Sequence, residues 1–182
     1  LGWALSGTAQ EAQAQLGGPT PVFIPIEILA PQMAGLLACR RILGVRSSTH
    51  TLVKILQPFR QPALRLSSYT HPEYLEMLGE YFTTAAPVDR GDAFLMRGTE
   101  GETVANARRA QQIDWFHAGV RTTLVEKQGV VDIVPDMPPG RDAESTARWI
   151  EAVLAGRLPV PPAIAAQVDR CAAVAKGNPI EG

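Results

Sequence analysis

Residues 43–58 read LGVRSSTHTLVKILQP, and the rest of the chain is best understood outward from them. Gly44 is a helix stop, because glycine reaches the left-handed conformation without a Cβ clash. Arg46 then stands among small hydroxyl residues, Ser47, Ser48, Thr49 and Thr51. An apolar run, Leu52, Val53, Ile55 and Leu56, follows and ends at Pro58. The pattern predicts a turn opening a buried helix. Hydroxyls and free N–H groups in a first helical turn, beside an arginine able to present a two-pronged fork, suit a carboxylate or a phosphate. Arg46, Ser47, Ser48 and His50 are therefore candidates for holding a phosphorylated ligand. The same residues also read as an ordinary N-cap beside a solvated arginine.

The chain of 182 residues is 46% hydrophobic and 19% charged, enough for a core of ordinary size in one domain. It contains no apolar run of the roughly 18 residues that a membrane-spanning helix needs. Cys39 and Cys171 lie far apart in helical patterns, which fits reduced core thiols in a cytoplasmic protein. Net charge is −1, unevenly distributed: between Glu27 and Glu73 the charged residues are Arg40, Arg41, Arg46, Lys54, Arg60 and Arg65, so the remainder carries −7. That basic region would attract a phosphorylated ligand or a nucleic acid.

Along the chain, Thr8–Leu16 predicts a short helix with a capping box of Thr8 and Glu11. Val22–Ile26 predicts a strand. Pro31 opens a helix through Leu43 with Met33, Leu36, Leu37 and Ile42 inside. Pro62–Ser68 reads as a strand and Pro72–Phe82 as a helix. Ala93–Met96, AFLM, is apolar throughout, as in a parallel sheet. Strand character returns at Arg121–Glu126 and Val130–Val134, around a turn at Lys127, Gln128 and Gly129. Helices follow over Asp142–Ala155 and Ala163–Lys176. Alternating strands and amphipathic helices predict an α/β fold, a mainly parallel sheet with flanking helices.

After AFLM comes the turn Arg97-Gly98-Thr99-Glu100-Gly101-Glu102, where α/β sheets place ligands. Glu100 and Glu102 either hold a hard cation through oxygen or satisfy backbone N–H groups of the turn. Arg108 and Arg109, then Gln111 and Gln112, form a basic and amide-rich stretch suited to phosphate and sugar contacts, or simply to solvent.

Residues 43–58 resemble the segment LGxRTxFNxLGPLxNP of anthranilate phosphoribosyltransferases, glycosyltransferase family 3, with Leu43, Gly44, Arg46, Leu52 and Pro58 in register. The chain departs from the pattern at Thr49-His50 and Val53-Lys54, and it has Leu29-Ala30 where the family often has two histidines. The resemblance implies that the chain is the C-terminal part of one phosphoribosyltransferase-like catalytic domain. The N-terminal helical domain, the first strands and the phosphate loops would then lie upstream. It implies an arginine, Arg46, on the anthranilate carboxylate. Phosphoribosyl diphosphate would be held with Mg2+ near Glu100 and Glu102, which replace the family's adjacent Asp-Glu pair. The fragment itself would be inactive, and the full-length protein a homodimer. The turn RGTEGE and the basic stretch after it resemble more closely a paralogue group outside tryptophan synthesis whose members bind DNA without evident sequence preference. Its nucleic-acid contacts would be Arg40, Arg41, Lys54, Arg97, Arg108 and Arg109. The alternative is a true transferase, moving a phosphoribosyl group to anthranilate in tryptophan biosynthesis.

Overall fold

A computed structural model describes residues 1–98, 103–109, 111–127, 129–130 and 137–177, which fall into two compact units, Leu1–Pro58 and Phe59–Gly182. The first unit is helical. Helix α1, Ala9–Gln15, is capped by Thr8, whose Oγ1 accepts the Glu11 N–H at 3.1 Å, while the Glu11 carboxylate accepts the Gly7 N–H at 2.6 Å. The expected strand at Val22–Ile26 is reduced to one parallel bridge, Leu5 to Phe23, with Trp3 stacked on Phe23. Pro25 lacks the ladder donor, and beyond it the chain turns into helix α2, Ile26–Leu29.

The helix expected from Pro31 to Leu43 is two: α3, Pro31–Ala38, and α4, Arg40–Leu43, interrupted at Cys39. Gly44 ends α4 at φ 71°, the left-handed stop its position predicts. The apolar face is not buried as the period suggests, for Leu36, Ile42 and Leu43 are exposed, Ile42 at 87%. Cys39 is likewise exposed rather than a core thiol. After Gly44 the buried helix expected to reach Pro58 is a single turn, α5, Thr49–Leu52, followed by a 3-10 turn, Val53–Ile55.

The second unit carries a four-stranded sheet in the order β1, Arg65–Tyr69; β2, Ala93–Arg97; β3, Ile113–His117; and β4, Val120–Val125. β1 and β2 run parallel, joined through helix α6, Pro72–Glu80, and a π turn, Tyr81–Ala85. β2 with β3 and β3 with β4 are antiparallel. The fold is mixed α/β, but the described sheet is not mainly parallel. β3 returns against β2, and a hairpin at Ala118-Gly119, with φ 47° and 79°, both positive as a tight primed turn requires, reverses the chain again into β4. The turn expected at Lys127-Gly129 lies beyond β4, and Val131–Val134 lies outside the described residues.

β2 is buried from Ala93 to Met96. On one face Phe94, Met96, Ile113 and Leu124 form the core with Cys171 and Val174 of helix α8, Pro162–Ala175; helix α7 is Ala143–Leu154. On the other, Phe116 meets Phe82, ring centroids 5.4 Å apart. Arg65, counted above as part of a basic region, is 8% exposed: its guanidinium lies 5.3 Å over the Phe82 ring and donates to the Gly91 carbonyl. It belongs to the core and contributes no surface charge.

Candidate functional site

Parallel pairing brings the carboxyl ends of β1 and β2 level, with Tyr69 in register with Arg97, and the Gly98 N–H closes the end by donating to the Tyr69 carbonyl at 2.8 Å. Outside those ends opens a cleft of about 670 Å³, a volume suited to a small ligand or one nucleotide. Arg97, Arg108, Arg109 and Lys127 line it, all exposed, together with the amides of Asn106, Gln111 and Gln112. No carboxylate appears in the described lining. Tyr69, Pro72 and Leu75 supply a less polar wall.

Local chemistry builds each wall. The Asn106 side chain accepts the Arg108 N–H at 2.9 Å, a tight turn that presents Arg108 and Arg109; Arg109 then bridges to Val130 beyond β4. On β3 the buried Asp114 accepts from Gln112 Nε2 at 2.9 and 3.0 Å, Thr123 Oγ1 at 2.9 Å and Arg121 Nη2 at 2.8 Å, which fixes the Gln112 amide at the cleft. Gln111 Oε1 is buried and accepts no hydrogen bond from the described residues, leaving an acceptor in the wall. Burial, and secondarily the Asp114 carboxylate, push the Tyr69 hydroxyl above its usual range, with Arg97 and Arg121 opposing. Tyr69 is thus a neutral donor at ordinary pH.

Of the residues expected from sequence, the cleft brings together Arg97, Arg108 and Arg109. Arg40, Arg41, Lys54 and the candidate anion turn belong to the other unit. There Arg40, Arg41 and Arg46 are exposed and Lys54 is half-buried. Ser48 precedes α5 but makes no capping side-chain bond. Instead the half-buried His50 folds back, its Nδ1 3.1 Å from the Ser47 N–H, so the ring occupies a donor that an anion would need. One turn of helix also carries little dipole. Glu100 and Glu102 lie outside the described residues. The described cleft lining offers cations and no carboxylate, and the residues expected to hold Mg2+ are not among those described.

Tyr69, Thr70, Lys127 and Asp114 were not anticipated. The first three come from the end of β1 and from beyond β4, and sequence distance hides them. Among the described residues no helix is long and apolar enough to cross a membrane.

No family model matches the chain. It is similar to a protein of Escherichia coli (strain K12) named Uncharacterized protein YbiB, 41% identical over 169 residues, which cover 92% of this chain and 51% of that protein. The chain therefore spans about half the length of the curated relative it matches.

Proposed function

We propose that the chain is part of an anthranilate phosphoribosyltransferase-like protein, homodimeric at full length and cytoplasmic, that binds nucleic acid without sequence preference. The observation that carries this reading is the cleft, where Arg97, Arg108, Arg109 and Lys127 converge with three side-chain amides. Cations neutralise backbone phosphates and release condensed counterions, a contribution blind to sequence. Amides serve sugar and phosphate oxygens, which position a strand without reading it. A tyrosine wall offers a face to any base. The exposed Arg40 and Arg41 of α4 are further phosphate contacts in this reading.

The test is fluorescence anisotropy with two oligonucleotides of equal length and unrelated sequence. Indistinguishable affinities that both weaken on Arg97→Ala support the proposal. Strong preference for one oligonucleotide, or no binding, contradicts it.

A second reading, phosphoribosyl transfer from phosphoribosyl diphosphate to anthranilate, is favoured by the cleft's place at the carboxyl ends of the parallel pair. The same four cations suit a diphosphate. Residues 1–182 alone are expected to give no turnover, and phosphoribosylanthranilate formation by the full-length protein would favour this reading over the first.

A further inference from the structure

Helix α8 is alanine-rich, with Ala163, Ala165, Ala166, Ala172, Ala173 and Ala175, yet it buries one long polar side chain, Gln167, 5% exposed. The Gln167 amide spends its hydrogen-bonding capacity on one short segment and its neighbour. Its Oε1 accepts the Ala105 N–H at 2.7 Å, and its Nε2 donates to the Thr103 carbonyl at 2.6 Å and to Met96 Sδ at 2.9 Å. A buried amide is costly to leave unpaired, so a glutamine at this place holds its partners firmly. Two of those partners are backbone groups one and three residues before Asn106, where the chain turns to present Arg108 and Arg109 to the cleft. Ala105 and Ala107, buried on either side of Asn106, seat the same segment.

We infer that Gln167 is a positioning residue: it clamps Thr103–Ala105 against α8 and so sets where the Arg108–Arg109 limb of the cleft stands. Gln167 is not among the residues that line the cleft. Its effect on binding runs through the backbone it holds, and this part of the inference rests on the nucleic-acid reading of the cleft.

The experiment uses Gln167→Met, which keeps length and approximate volume but cannot accept the Ala105 N–H or donate to the Thr103 carbonyl. Hydrogen exchange read by mass spectrometry on the full chain should show residues 105–109 exchanging about tenfold faster, with β2, β3 and α8 unchanged. Unchanged exchange at 105–109, or a uniform rise across the unit, overturns the inference. Oligonucleotide binding should weaken about three- to tenfold in the variant, and not further when Gln167→Met is added to Arg108→Ala/Arg109→Ala, since one contact set cannot be lost twice. A purely structural residue would instead weaken both backgrounds equally, and that result also overturns it. If the parent chain binds no oligonucleotide, the nucleic-acid reading fails while exchange still decides the clamp. Should Gln167→Met not fold, Gln167→Glu takes its place: it keeps the Ala105 acceptor but loses the donors, and faster exchange confined to 103–109 is again the expected result.

Discussion

The buried carboxylate of Asp114 on β3 accepts a 2.8 Å hydrogen bond from the Arg121 guanidinium on β4, with Asp114 1% and Arg121 41% exposed at the side chain. Gln112 and Thr123 satisfy the remaining acceptor positions. Removing this acceptor leaves three donors facing a void. Asp114→Ala should cost about 3 kcal/mol, the lower end for breaking a buried pair because Arg121 can turn to water. Asp114→Asn, which keeps one oxygen, should cost about half that. Urea unfolding measures both, and equal costs would show that the carboxylate is not shared as described.

Gly91 has φ 83°, and a Cβ there would lie 2.6 Å from the Ala63 nitrogen and 2.7 Å from its carbonyl oxygen. Both obstacles are backbone, and the same strip carries the Arg65 N–H to the Asp92 carbonyl at 2.9 Å. Gly91→Ala should destabilise by about 1–3 kcal/mol from the dihedral alone, with the clash adding to it. A melting temperature equal to that of the parent chain would contradict this.

Ala118 occupies the left-handed region at φ 47°, at the first position of the β3–β4 turn. Glycine or asparagine takes this conformation more readily than alanine. Ala118→Gly or Ala118→Asn should therefore raise stability by about 0.5–1 kcal/mol. Loss of stability in both would mean that the turn is not of this type.

The Tyr69 hydroxyl is held above its ordinary range chiefly by burial. A group whose pKa is raised on folding contributes its stability fully below its unfolded value. That contribution is lost as pH rises through the folded value. Stability should thus fall from about pH 10 upward more steeply in the parent chain than in Tyr69→Phe, as thermal melts across that range would show.

Much of the fold was legible because apolar runs and punctuation agree: Thr8 as a cap, Gly44 as a stop, Pro72 at a helix start and Ala93–Met96 as a buried strand. β3 was not, since its second residue, Asp114, reads as a surface residue and its burial makes sense only with Arg121 and Thr123 opposite. Without β3 the sheet reads as parallel. At the candidate anion turn, 46–51, the sequence does not show that His50 folds back onto Ser47. In the cleft, Arg97, Arg108 and Arg109 were legible as a basic stretch near a glycine-bearing turn. Tyr69 and Lys127 join them only through strand order.

The cationic cleft is tested most directly by the salt dependence of oligonucleotide binding in the parent chain and in Arg108→Ala/Arg109→Ala. If both arginines neutralise phosphates, the logarithmic slope of affinity against salt should shrink by about two units, to a similar degree for unrelated sequences. An unchanged slope, with the double variant binding as tightly as the parent chain, would contradict the cleft as the nucleic-acid interface.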